Sequence, residues 1–525
     1  MRLPEMKKPK WNFAALAFLF PFVGMLMVML ISGYKPFGKY SMLYSDMYHQ
    51  YYPFFVAFRR SLRQGQSLLY NWSIGMGLDY LGLISYYLAS PLNLLSVLVP
   101  EKLLLSYFSL LMPIKLGLAG LFFYLFLREL YGKNDFSLVV FGAFYALCAW
   151  ALGFQWNVMW LDTFALLPLV VLGEVRLLQQ KRFFLYTVTL FMAVYANYYV
   201  GFFVCIFVAL AFLCYEICCF PGFKRLGLDL LRIAFFSILA IGMTAILEIP
   251  TLAALQTTQS SVNAFPKGFK LNIASTNTWK GLLDAMRQVA GNLAGALEPN
   301  FKEGLPNIYC GVLTLMLAFL SLMAKEVKLR EKLCSVALLL FFMLSFIIRQ
   351  LDYIWHGFHF PNMIPYRFSF LFSFVLLHMA YRGWLLRRQF QKRHIAAAAL
   401  LTAAVFCCSQ SFVKGEWTDG GTPELQMLAF AAYNGGFLLA FTVALLYGKI
   451  RIPVPEDAEG QALRDIRFRQ SRYRVWSRRL VLGLAVGEIA ANLLAFGLYF
   501  PGTGVSNYPK GTDAAASMIR YMKDR

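Results

Sequence analysis

Apolar runs of membrane-crossing length recur along almost the whole chain. A spanning helix needs about 20 mostly apolar residues. Such runs lie near 11–33, 104–127, 136–152, 163–178, 183–197, 199–219, 232–250, 308–324, 333–348, 366–382, 395–412, 425–447 and 480–499. The expected fold is therefore an all-α polytopic membrane protein with about thirteen transmembrane helices. Composition agrees: 59% of residues are hydrophobic and 14% charged, against about 45–50% and 25% in soluble domains. The stretch 81–99 is apolar but carries Tyr86, Tyr87, Ser90 and Pro91, which suits a re-entrant or interfacial helix.

Charge orients these runs. The basic start, Met1 to Lys10, precedes an apolar run too long for a signal-peptide core and without a small-residue cleavage site, so it reads as the first anchored helix. With the N-terminus inside, the inner segments hold 30 Lys and Arg and the longer outer segments only 18. This is the positive-inside bias, and it places the C-terminus outside. The large outer loops are then 34–103, 251–307 and 349–367. The net charge of +22 follows from topology and calls for no nucleic acid. The basic stretch Arg464–Arg474 reads as a topology anchor facing the anionic inner leaflet. The nine cysteines lie in or beside apolar spans and read as small buried hydrophobes. No CxxC or Cys/His cluster suggests structural zinc. Residues 1–500 form the membrane domain. The polar tail 501–525, with a helical pattern over Thr512–Met522, reads as the start of an outer soluble segment, cut short.

Polar groups near spans are costly, so each needs a reason. Asp46 lies about a dozen residues past the first span, among Tyr44, Tyr48, His49, Gln50, Tyr51 and Tyr52. It reads as a general base for a hydroxyl acceptor, or as a solvated loop acid or N-cap. Asn71-Trp72 with Gly75-Met76-Gly77 suits a tight backbone near a ligand, or a plain turn. Asp162 follows Trp156 and Trp160 in a short outer turn and reads as a second acid, a partner for a cation, or an N-cap. Lys115 stands inside an apolar run and must pair, face a hydrated cavity or snorkel. Asn197-Tyr198-Tyr199 breaks a long apolar stretch at an outer turn, and Glu248-Ile249-Pro250 ends another span outside. Arg367 opens a helix, where the dipole disfavours a cation; it suits a phosphate or an internal salt bridge. His356 and His359 alone are weak evidence for a metal.

Taken in order, Ser45-Asp46 with Gln50-Tyr51 and Pro53-Phe54, Tyr70 through Gly77, Tyr86-Tyr87 with Ser90-Pro91, Trp156-Asn157 with Trp160 and Asp162, Asn197 with Tyr199, and Pro361-Asn362 with Pro365-Tyr366-Arg367-Phe368-Ser369 resemble the YfhO family of bacterial multipass membrane proteins, within the GT-C class of glycosyltransferases. Members usually continue into a further outer domain and a final helix, a departure that bears on acceptor recognition. The resemblance implies a GT-C-like bundle in the bacterial plasma membrane. It implies an inverting transferase that moves a sugar from a polyprenyl-phosphate donor to a cell-envelope acceptor such as lipoteichoic or wall teichoic acid. It implies Asp46 as the base that deprotonates the acceptor hydroxyl, and Asp162 is taken with it as a second catalytic carboxylate. Arg367, Lys115, Gln50, Tyr51, Asn71, Tyr87, Asn197 and Tyr199 would contact donor or substrate. No cofactor is assigned, and a divalent cation is left open. The rival readings are a transporter or flippase of lipid-linked sugar or polymer, and a non-catalytic scaffold. On the transferase reading, Asp46, Asp162 and Arg367 converge at the outer interface.

Overall fold

The computed structural model describes residues 11–220, 222–256, 267–268, 282, 285–286, 288–290, 306–361, 364–410, 423–454, 460–499, 502–505 and 512–524. The basic N-terminal decapeptide, most of the 257–305 loop, Asn362 of the Pro361–Ser369 motif and most of the 413–424 loop lie outside the described residues.

The described chain is mostly helical. Three helices are long and apolar enough to cross a membrane, Asn12–Ile31, Glu101–Tyr131 and Tyr198–Cys219. Two bent pairs raise this to five if each is one span: Tyr80–Leu88 with Pro91–Leu98, and Phe223–Gly242 with Ala245–Gln256. The expected thirteen spans are therefore not confirmed among the described residues. Hydropathy registers apolar side chains but not backbone breaks. The run 136–152, for example, is two helices, Phe136–Ala146 and Ala149–Phe154. The 81–99 stretch bends by 109° between its two legs.

The polar segments gather at two ends. At one end, Ser41 pairs with Thr503 in a two-residue antiparallel ladder, so the segment after the last long helix returns to the loop after the first. Asn197 bonds the carbonyl of Tyr86 at 2.7 Å, and Ser85 bonds Glu248 at 3.4 Å. At the other end, ion pairs tie the short connections together: Arg478 to Asp135 at 3.0 Å, Lys181 to Asp229 at 2.7 Å, Arg382 to Glu331 at 3.2 Å, and Arg176 to Glu129. The loops divide into the same two groups as in the count of Lys and Arg.

Helix–helix approach is close. The Trp11–Ile31 helix packs on Leu104–Tyr131, which in turn packs on Phe136–Ala146 and Leu161–Gln180. A second group joins Val312–Met323 to Phe370–Leu386 and Lys392–Gln410. Apolar lipid offers no hydrophobic drive for such contacts, so small residues that let backbones approach carry them. A Cβ on Gly142 would stand 2.6 Å from the carbonyl oxygen of Gly120, and one on Gly383 2.1 Å from that of Leu317. Between the groups runs an aromatic column: Phe123 on Tyr145 (4.7 Å), Tyr145 on Phe164 (4.5 Å), Phe164 on Trp150 (4.9 Å) and Trp150 on Phe370 (4.8 Å).

Gly383→Ala tests the close approach. Overpacking of this kind costs about 1–3 kcal/mol, so the thermal midpoint in detergent should fall by several degrees. An unchanged midpoint would mean that the two helices can part freely at that point.

Candidate functional site

Asp46 is half-buried and stands just before a π-helical turn, Met47–Tyr51. The residue before it, Ser45, has φ +46°, in the left-handed region that non-glycine residues seldom occupy. A second π-turn, Ile84–Leu88, carries Tyr86 and Tyr87. Isolated π-turns occur often at functional sites because they re-aim side chains within a helix. Here the two turns face each other. Gln50 donates to Asp46 at 3.4 Å and accepts from the Tyr87 hydroxyl at 3.2 Å. The rings of Tyr51 and Tyr87 lie 5.4 Å apart.

Tyr51 also stacks on Trp156 (6.1 Å) and donates to Asn157 at 2.9 Å. Burial, first, and then the neighbouring Tyr86 phenol and Asp46 carboxylate push the Tyr51 phenol well above its ordinary range. Tyr51 thus remains a protonated donor at neutral pH.

Arg367 arrives from another direction. It lies in the segment before the Phe370–Leu386 helix, held by its own Nε on the carbonyl of Ile364 (3.0 Å) and by Trp150, which donates to the Arg367 carbonyl at 2.8 Å. Ile364 (φ +60°) and Tyr366 (φ +62°) are both left-handed. Each such residue costs of order 1–3 kcal/mol and persists only where its surroundings over-determine it. The guanidinium lies 5.1 Å from the Trp160 ring centre and 5.0 Å from that of Tyr199. Cation–π contact of this kind orients the planar group. Tyr199 touches Tyr86 (6.0 Å), and Tyr86 touches Tyr87 (4.6 Å). A continuous aromatic wall therefore runs from Asp46 through Gln50, Tyr87, Tyr86 and Tyr199 to Arg367. Asn197 supports it by bonding the Tyr86 carbonyl and capping the Tyr198–Cys219 helix through the Val200 N–H at 2.8 Å.

Asp162 sits in the first turn of the Leu161–Gln180 helix, whose N-cap is Trp160. The carboxylate is not a cap. It accepts Lys115 Nζ at 2.5 Å and the Ser90 hydroxyl at 2.9 Å, while Lys115 also donates to the carbonyl of Val158 at 2.9 Å. Lys115 is 1% exposed and Asp162 10%. Of the readings open from sequence, pairing is the one adopted by both residues. Asn71 lies in the Tyr70–Asp79 hairpin, where its side chain accepts the Ser73 N–H at 2.8 Å; its carbonyl oxygen serves a turn. His356 bonds the Asp352 carbonyl (2.8 Å) and carboxylate (3.1 Å). Among the described residues, no group of three or more His, Cys, Asp or Glu could hold a metal ion.

Tyr86 of the wall lies in the Tyr86–Pro91 stretch that the sequence marks beside Asp46, whereas Trp160 and Asn157 were not singled out as contacts. Their signal was their place in the same short turn as Asp162.

Removing one partner of a buried pair leaves an uncompensated charge and costs about 3–5 kcal/mol. Lys115→Met should therefore sharply reduce the folded fraction recovered in detergent, measured by size-exclusion and thermal melting. The double variant Lys115→Met/Asp162→Leu should recover much of it. Equal loss in single and double variants would show that the pair is not the source of the cost.

No curated protein matches the chain. Among solved structures it is similar to the crystal structure of ArnT from Cupriavidus metallidurans in the apo state, at 12% identity and a TM-score of 0.43, over 93% of this chain and 77% of that one. The family model described as bacterial membrane protein YfhO matches residues 17–498, nearly the whole chain. This chain is a member of the YfhO family of bacterial membrane proteins.

Proposed function

We propose that the protein is a membrane glycosyltransferase of the cell envelope, of the GT-C class. Its donor is a polyprenyl-phosphate-linked sugar at the outer face of the membrane, and its acceptor is a hydroxyl of an envelope polymer such as a teichoic acid. The observation that carries this reading is the aromatic wall joining a half-buried carboxylate, Asp46, to a stacked guanidinium, Arg367. Sugar faces pack on aromatic rings, and a group transfer of this kind needs a base at one end and an anion stabiliser at the other.

The roles follow from chemistry. Asp46 takes the proton of the acceptor hydroxyl as its oxygen attacks the anomeric carbon. The bond from that carbon to the phosphate oxygen breaks, and the configuration inverts. The departing lipid phosphate gains a negative charge, which Arg367 meets with fixed donors. Gln50 orients Asp46, and Tyr51, Tyr87 and Tyr199 form the surface beneath the sugar. Asn197 holds that surface in place. Asp162 and Lys115 satisfy each other, so we assign them to positioning rather than to proton transfer or phosphate binding. Asn71, occupied in its turn, is left out.

Asp46→Asn should lower transfer from a polyprenyl-phosphate sugar by at least about 10²–10³-fold, the loss typical of one essential group, while expression and melting stay normal. Arg367→Ala should weaken donor use by a similar factor. The assay is mass spectrometry of envelope polymers from cells carrying each variant. Wild-type product from Asp46→Asn would remove the proposed base. Movement of lipid-linked sugar across liposomes with no glycosylated product would replace the transferase with a transporter.

A further inference from the structure

A cavity of about 1080 Å³ opens at the other end of the molecule. It lies where the Phe370–Leu386 helix finishes, while Arg367 stands just before that helix begins. Seventeen residues at 1.5 Å each separate the two by about 25 Å. Eight Lys and Arg side chains line the cavity and no Asp or Glu does. Like charges gathered at a low-dielectric surface repel one another, so an unfilled pocket of this composition is electrostatically costly.

The pocket is built rather than incidental. Lys449 donates to the carbonyls of Arg387 and Arg388, at 2.9 Å each, and so closes one wall. Gln470 clamps the 450–452 strand of chain from the long Gly460–Tyr499 helix, accepting the Ile452 N–H at 2.9 Å and donating to the Ile450 carbonyl at 2.5 Å. Ser477 bonds the carbonyl of Ala444 at 2.7 Å. The Arg387 guanidinium sits over Trp384, 4.1 Å from its ring centre. Asp135 reaches Arg478 at 3.0 Å from outside the lining, which leaves the pocket strongly cationic. Burial, first, and then the charges of Arg478 and Arg388 hold the Arg387 guanidinium down at about 10. Burial and the charges of Arg474 and Arg387 lower Lys449 as well. Each of these cations is less comfortable charged than it would be in water, and an anion relieves all of them together.

We propose that this cavity is a binding site for a phosphate-bearing anion, with Arg387 and Arg478 as its inner contacts and Arg388, Lys449 and Arg474 at its rim. Guanidinium groups match the tetrahedral oxygens of phosphate in bidentate pairs. On the charge-bias orientation this end faces the inner leaflet, whose anionic lipids are drawn to basic pockets between helices. The same chemistry would accept a soluble pyrophosphate. The site is separate from the aromatic wall and does not depend on the transferase reading.

The test uses the full chain, purified in detergent and stripped of lipid. Native mass spectrometry measures retention of phosphatidylglycerol against phosphatidylcholine, and a parallel titration measures the melting shift with inorganic pyrophosphate. Phosphatidylglycerol should be retained at least tenfold more strongly than phosphatidylcholine. Arg387→Gln/Arg478→Gln should abolish that preference. Should those substitutions prevent folding, Arg388→Gln/Arg474→Gln, both exposed, should lower the preference several-fold. Arg467→Gln/Arg469→Gln, on the same helix but outside the lining, should leave it intact. A pyrophosphate shift lost in the cavity variants, without a lipid preference, would identify the soluble source of the same ligand chemistry. Absence of both responses overturns the site, as does equal loss in the Arg467/Arg469 control, which would reduce it to diffuse surface charge.

Discussion

An ammonium buried among apolar helices must find an anion, and much of the arrangement at one end of this protein depends on where Lys115 finds it. Lys115 belongs to the Leu104–Tyr131 helix, Asp162 to the start of Leu161–Gln180, and Ser90 to the corner of the bent 80–98 segment. One carboxylate receives donors from both of the other elements. Bringing two charges out of water is expensive, and a pair of this kind adds little net stability. Its value is geometric. A shift of one helical turn in either charged helix would strand a charge, and one in the bent segment would forfeit the Ser90 hydrogen bond, so the pair fixes their register. Ser90 lies just after the π-turn that carries Tyr86 and Tyr87, and Asp162 just after Trp160. Fixing the pair therefore fixes two parts of the aromatic wall.

The wall itself is held by unusual backbone. Both of its π-turns, and the left-handed residues Ser45, Ile364 and Tyr366, lie beside Asp46, Tyr87 or Arg367. Regular helices would present side chains at fixed 100° steps. A π-turn inserts a residue and lets neighbours such as Gln50 and Tyr51, or Tyr86 and Tyr87, reach different partners on one surface. The close-packed glycine contacts and the aromatic column behind this surface supply the rigid frame against which such local strain is held.

Much of this was legible in the sequence, and what was not has a physical reason. Lys115, Asp162, Asp46 and Arg367 stand out because charge in an apolar context is costly wherever it occurs. Asn197 stands out because it interrupts an apolar run, and it does cap the Tyr198–Cys219 helix. Partition of loops between two ends was readable from Lys and Arg alone. The partner of Lys115 was not, because residues 47 positions apart meet only through the packing of two helices. The π-turns were invisible, since nothing in a row of tyrosines specifies an inserted residue. Asn71 stays open to both readings in the sequence, since asparagine next to glycines signals a turn as readily as a ligand; its side-chain oxygen serves the turn. The count of thirteen spans is not confirmed among the described residues. Apolar runs report burial or lipid contact, and short broken helices such as Phe136–Ala146 and Ala149–Phe154 satisfy them equally well.

The two ends differ in a way that bears on mechanism. One presents an acid, an arginine and a sheet of aromatic rings; the other presents many cations and ion pairs. A carrier working by alternating access holds its substrate near the membrane midplane, often between related halves. Here a stacked column of Phe123, Tyr145, Phe164 and Trp150, all fully buried, backs directly onto Arg367, whose carbonyl accepts from Trp150. Moving a sugar through that column would require unstacking four rings at once, each contact worth about 0.5–1.5 kcal/mol beyond its buried area. On the proposed transferase reading, chemistry confined to one end leaves the column intact, and the rings behind Arg367 hold it in place.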